Sequence, residues 1–133
     1  MSTLVQVLAG VAVLVHLVAF AWETLLFRRP GVHRGIFRVR TEDVPAVLLW
    51  SVNQGCYNLF LAAGTVAGLV ALHTGDATVG RTLVFYTCAF MALAGLVLAV
   101  SDLFALGRPR GSGWGGALAQ TTPPLAALVI GVL

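Results

Sequence analysis

Charge is scarce in this sequence, and lysine is absent altogether. Eight basic and five acidic residues make up 10% of a chain that is 59% hydrophobic, where a soluble domain carries about a quarter charged residues. A water-soluble globular fold is therefore excluded. Cysteine is nearly absent too: Cys56 and Cys88 both sit inside apolar stretches, with no CxxC neighbour. That spacing excludes a disulfide framework and a thiolate metal centre. No polar stretch is longer than residues 28–43, which are too few to bury a core of their own, so residues 1–133 form one domain. No phosphate loop, nucleophile elbow or dinucleotide fingerprint appears.

What remains is hydrocarbon in long blocks. Mean hydropathy is +0.94, and four segments, about residues 3–27, 44–72, 81–106 and 114–133, nearly exhaust the chain. Each matches the roughly 20 helical residues that cross about 30 Å of bilayer core. The fold class expected is an all-α integral membrane four-helix bundle. The first segment is expected to be a mature helix rather than a secretory signal, because its positive charge, Arg28 and Arg29, follows the apolar run instead of preceding it. Thr41, Glu42 and Asp43 supply capping chemistry for the second segment. A polar turn over residues 73–80 and a Gly/Arg/Pro break over 107–113 separate the others. Gly64 and Gly68, widened by Ala63, Ala67 and Ala71, and the run Ala92, Gly95 and Ala99 are small-residue faces for helix contact.

The eight basic residues flank the apolar blocks, which argues for membrane orientation and against a nucleic-acid partner. Arg28, Arg29, Arg34, Arg38 and Arg40 share one loop and Arg108 and Arg110 another, leaving Arg81 alone on the opposite side. Basic loops stay in the cytoplasm. Both termini are thus expected on the non-cytoplasmic side of the cell membrane.

Ionisable residues inside a span are costly and usually mark a working site. At about 1.5 Å per helical residue, Glu23 and Asp102 lie roughly 6 Å, and His16 roughly 16 Å, from the cytoplasmic ends of their helices. His16 and Glu23 are seven residues apart, which puts them on one helix face. The second segment brings Trp50, Asn53, Gln54, Tyr57 and Asn58 to the same half of the bilayer, and the fourth brings Gln120. This convergence at one depth points to a shared polar cavity. His33 and His73 belong to loops and call for nothing beyond solvation. A carboxylic acid in a dehydrated pocket can serve as a general acid. Glu23 and Asp102 would divide proton donation and removal, His16 would assist, and Trp22, Trp50 and Tyr57 would face a developing carbocation. With Asn53, Gln54, Asn58 and Gln120 binding the substrate, the residues fit an enzyme acting on a lipophilic molecule from the bilayer, such as a proton-initiated isoprenoid cyclase or isomerase. No metal or other cofactor is implied. The alternative is a non-enzymatic transporter or assembly partner, which at four helices would need a homo-oligomer.

The histidine and glutamate of the first helix, the block Asn53-Gln54-Gly55-Cys56-Tyr57-Asn58-Leu59-Phe60-Leu61-Ala62-Ala63-Gly64, and Gln120 before Pro123 resemble the small bacterial four-helix membrane proteins of domain-of-unknown-function family 1304. The resemblance covers most of the chain and implies the fold, with no activity attached. Two features depart from that pattern. Thr121-Thr122 stand where the family has glycine before proline, and Asp102 with the Gly/Arg-rich loop after it is unlike ordinary members, which fits a specialised substrate. A fainter likeness, of chemistry only, links the carboxyl pair to membrane cyclases that protonate an isoprenoid epoxide.

Reporter fusions check the orientation. Alkaline phosphatase fused after Leu133 should be active and a fluorescent protein dark, with the reverse result for fusions after Gly35. The opposite pattern would invert the topology.

Overall fold

The computed structural model describes residues 1–106 and 109–133; Gly107 and Arg108, assigned above to the second basic loop, lie outside the described residues. Helix α1 spans Thr3–Phe20 and continues as a π-turn over Ala21–Leu25. A short helix α2, Pro30–His33, and a 3-10 turn, Thr41–Asp43, lead into α3, Val44–Thr74. Helices α4, Ala77–Leu103, and α5, Trp114–Val132, complete the chain. Among the described residues there is no strand, and four helical segments are long and apolar enough to cross a membrane. They pack in a ring in which α1 meets α3, α3 meets α4, α4 meets α5, and α5 closes on α1. One end of the bundle carries both termini and the α3–α4 turn. The other, the arginine end, carries the loop from α1 to α3 and the loop from α4 to α5.

Local chemistry explains the boundaries and corrects several of those expected. The Ser2 hydroxyl accepts from the Val5 amide at 3.4 Å to cap α1. Asp76 accepts from the amides of Thr78 (2.7 Å) and Val79 (3.2 Å), so α4 begins at Ala77, four residues before Arg81, and the turn shrinks to Gly75 and Asp76. Pro30 starts α2, since a proline at the first helical position loses nothing by lacking an N–H. Thr41, Glu42 and Asp43 do not cap α3 with their side chains. Asp43 already has helical backbone angles, and the two carboxylates turn back to Arg40, Glu42 at 2.9 Å and Asp43 at 3.2 Å.

At the terminal end Val5, Ala9, Val84, Cys88 and Ala127 form a sealed apolar core. His73 does more there than meet water: its Nε2 lies 2.7 Å from Gln6 Oε1, tying α3 to α1. Helices α3 and α4 meet where neither can carry a side chain. A Cβ on Gly68 would lie 3.0 Å from the Gly80 carbonyl oxygen, and one on Gly80 would lie 2.7 Å from the Leu72 amide. Beside them the buried Thr65 hydroxyl donates to Thr87 Oγ1 at 2.8 Å, the kind of interhelical bond that holds helices together in lipid. Gly64 and Gly68 thus make the contact expected of them. Ala63 and Ala67 do not extend it; they are exposed on the outer surface, because the contact stripe follows Ala62, Thr65 and Gly68.

Overpacking a close helix contact costs about 1–3 kcal/mol. Gly68→Ala should therefore lower the unfolding temperature in detergent, whereas Gly10→Ala, whose new methyl meets nothing within 4 Å, should not. Equal behaviour of the two variants would refute the packing account.

Candidate active site

The site begins with a fault in α1. Leu26 N–H donates to the Ala21 carbonyl at 2.9 Å, one residue farther back than an α-helix allows, and such π-turns recur at functional positions. The wider turn loosens the backbone, and α3 supplies bonds to it. The Ser51 hydroxyl donates to the Glu23 carbonyl at 2.8 Å, while the Thr24 hydroxyl donates to the Val52 carbonyl at 3.4 Å. Gly55 makes this approach possible. A Cβ there would meet the Thr24 hydroxyl, and would lie 3.1 Å from Glu23 Cβ and 3.2 Å from the Thr24 amide.

One turn beyond Gly55 on the same face stands Asn58, only 4% exposed. Its side-chain Nδ2 donates to Glu23 Oε2 at 2.7 Å. The π-turn, Gly55 and Asn58 together orient one carboxyl group, and no cation pairs with it among the described residues. That carboxyl lies in the wall of a cavity of about 1070 Å³. Trp22, Leu14 and Val18 of α1 form one side, and Gly115, Gly116 and Ala119 of α5 the other. Leu14, Val18 and the three small residues of α5 are also exposed on the bundle surface, so the cavity is a groove that opens on the outer face of the bundle between α1 and α5. Trp50, Ser51, Asn53 and Gln54 of α3 and Leu98, Ser101 and Asp102 of α4 complete it.

Glu23, Asp102, Trp22, Trp50, Asn53, Gln54 and Gln120 therefore meet around one space. Three other candidates do not line it. Tyr57 is 53% exposed on the outer surface of α3 and lies outside the groove. Asn58 stands behind Glu23 and acts through it. His16 is completely buried in the bundle, with Nδ1 2.9 Å from the Ala12 carbonyl. This fixes the proton on Nδ1, and Nε2 has no hydrogen-bond partner among the described residues. Glu23, within the π-turn, lines the groove, whereas His16, in the regular part of α1, is buried behind it, so the seven-residue spacing does not bring both to the groove.

Asp102 faces the groove with both oxygens engaged. Oδ2 accepts from the Gly111 amide at 2.7 Å and Oδ1 from the Gly113 amide at 2.6 Å. Its carboxylate closes the loop onto α5, and Gly111, at φ +90°, takes the left-handed turn that the closure requires. This arrangement makes Asp102 an anchor for the wall around Ser112 and Gly113.

The loop between α1 and α3 holds what sequence reasoning missed. Phe27, Ile36, Phe37 and Val39 fold back to line the mouth of the groove, and the Phe27 and Phe37 rings pack at 5.4 Å between centroids. His33 is not solvated but 1% exposed. Its Nδ1 lies 3.1 Å from the Phe27 carbonyl and its Nε2 3.2 Å from Thr41 Oγ1, which pins the loop near both of its ends. The signal available was the apolar pattern Ile36-Phe37-x-Val39 within an arginine-rich stretch. A second overlooked feature is Pro123-Pro124 inside α5. Lacking N–H groups, these residues leave the carbonyls of Ala119 and Gln120, both groove residues, without their usual helical donors.

The family model for proteins of unknown function, DUF1304, matches residues 10–132. The chain belongs to the DUF1304 family. No curated protein and no solved structure matches it. In this DUF1304 protein the asparagine-glutamine-glycine block has a physical reading. Asn53 and Gln54 line the groove, Gly55 admits the π-turn, and Asn58, five residues after Asn53, orients Glu23.

Two substitutions separate orienting from anchoring. Asp102→Ala leaves two amides without their charged acceptor, a loss of about 2–3 kcal/mol that thermal unfolding in detergent should register. Asn58→Leu should cost less stability but release the Glu23 carboxyl, visible as a shift of its carbonyl-stretch infrared band. An unshifted band would show that Asn58 does not hold Glu23.

Proposed function

We propose that this protein is a membrane-embedded enzyme in which Glu23 performs acid/base chemistry on a lipophilic substrate that enters the α1–α5 groove from the bilayer. The observation that carries this reading is a single carboxyl, oriented by a buried asparagine and free of any cation among the described residues, in the wall of a large apolar groove. Isomerisation or cyclisation of an isoprenoid epoxide or alkene fits it best. Asn58 donates to Oε2, so in the protonated acid the proton resides on Oε1. Donation of that proton to an epoxide oxygen or an alkene carbon leaves a cation on the substrate and a carboxylate on Glu23. Loss of a proton from the carbon next to the cation returns the carboxyl to its starting state, and no oxidant or second substrate is consumed. One carboxyl suffices for both steps, which suits a site where the second, Asp102, is held by backbone amides. Trp22 and Trp50, which line the groove, would supply indole faces to the cation.

The arginine-rich loops favour an orientation with the groove in the cytoplasmic leaflet of the cell membrane and both termini outside. A transport role is less well supported. The groove does not continue through the terminal half, where Val5, Ala9, Val84, Cys88 and Ala127 close the bundle. A path across would require a homo-oligomer.

Purified protein in nanodiscs, incubated with polyprenyl epoxides and alkenes, should convert a substrate without added cofactor. Glu23→Gln should reduce turnover by ~100-fold or more, the usual contribution of a positioned acid/base. Filling the groove with Gly115→Phe, at a position where a new side chain meets nothing within 4 Å, should raise KM more than it lowers kcat. Full activity in Glu23→Gln would end this reading.

A further inference from the structure

Outside the groove, at the arginine end, lies a second cavity of about 600 Å³. Its wall contains Arg34, Arg38, Arg40, Thr41, Glu42 and Pro109. The two cavities adjoin, because Val39 lines both. Apolar groove and cationic pocket thus share a wall residue. The positive-inside rule accounts for arginines in this loop, but it does not account for three of them around one depression at the mouth of the groove.

The charges in the pocket are not cancelled internally. Arg40 is occupied by Glu42 at 2.9 Å and Asp43 at 3.2 Å, and these are the only ion pairs among the described residues. Arg34 and Arg38 therefore have no carboxylate partner there. A guanidinium keeps its charge in any protein setting and offers a planar fork of donors that fits phosphate or carboxylate oxygens in pairs. The loop carrying them is fixed rather than floppy. His33 pins it at Phe27 and Thr41, and the Val39 amide donates to the His33 carbonyl at 2.7 Å. Arg38 itself sits at φ +60°, a left-handed conformation that a non-glycine residue adopts only where its surroundings enforce it.

We infer that the substrate is an anionic amphiphile: a single apolar chain that lies in the α1–α5 groove, with a phosphate-like head group held by Arg34 and Arg38. The dimensions agree. Along α1 the groove runs from Val11 to Trp22, roughly 17 Å at 1.5 Å per residue, which is about the depth of one leaflet of a ~30 Å hydrocarbon core. A chain of that reach would pass Glu23 while its head group stays at the interface among the arginines. This inference rests on the groove being a substrate site, and binding tests it apart from turnover.

Trp22 and Trp50 both line the groove, so a brominated single-chain alkyl phosphate should quench their fluorescence in phosphatidylcholine nanodiscs. The matching brominated alcohol should bind at least about tenfold more weakly, as expected from loss of charge-assisted hydrogen bonds. That advantage should vanish in Arg34→Gln/Arg38→Gln and persist in Arg28→Gln/Arg29→Gln, which removes the same charge from the same loop outside the pocket. Neither inorganic phosphate nor phosphatidic acid in the disc should displace the probe. Equal binding of phosphate and alcohol would overturn the head-group site while leaving the groove reading intact, and binding of neither would end both. An equal loss in the two double variants would reduce the effect to surface potential. Displacement by inorganic phosphate would make this a free-anion site, and displacement by phosphatidic acid a site for bulk lipid; either would refute the inference.

Discussion

Lipid offers no hydrogen-bond donor or acceptor, so a backbone that leaves helical geometry within the bilayer must be met by the protein itself. Much of the architecture follows from how this chain meets that demand. Where α1 widens into a π-turn, Ser51 reaches across from α3 to the Glu23 carbonyl. Where the chain turns after α1, His33 takes the Phe27 carbonyl. Where α4 gives way to α5, Asp102 gathers two loop amides. At the other end Arg81 donates to the Gly131 carbonyl at 3.0 Å, near the end of α5. Polar side chains that at first sight compete for a catalytic role are thus divided between closing the backbone and facing the groove.

That division leaves Glu23 in a distinctive position. Its carbonyl is part of the structural repair, while its carboxyl, one end held by Asn58, is turned to an apolar space. Asp102 has the same chemical group and the opposite arrangement, with both oxygens committed to the chain. Of the two carboxyls, only that of Glu23 keeps an oxygen without a hydrogen-bond partner among the described residues. His16 belongs to a third case: buried, satisfied at Nδ1 and unpaired at Nε2, it lies behind the groove rather than in it.

The bundle itself was legible in the sequence because its determinants are local. Hydrophobic length, the small residues Gly64 and Gly68, and breaks at glycine and proline all act within a few residues. The meeting of Glu23, Trp22, Trp50, Asn53, Gln54 and Gln120 was also legible, since depth along a helix follows from counting residues. Azimuth does not. Counting residues could not reveal the π-turn that holds Glu23, nor the stripe that leaves Tyr57 on the outside. The loop from Arg28 to Asp43 was opaque for a related reason. Its fold depends on His33 meeting partners six residues before and eight after it, and nothing periodic announces such contacts.

Pro123 and Pro124 stand in the middle of α5, the helix that forms one edge of the groove. Two consecutive rungs of its hydrogen-bond ladder are missing, so the half bearing Gly115, Gly116 and Ala119 is joined to the rest of the helix more weakly than a continuous ladder would join it. Bending there breaks no hydrogen bond at those rungs. The wall with the smallest side chains is therefore also one with a weakened ladder, so on the proposed reading a bulky chain arriving from the bilayer would meet α5 beside the point where it bends most readily along its own length.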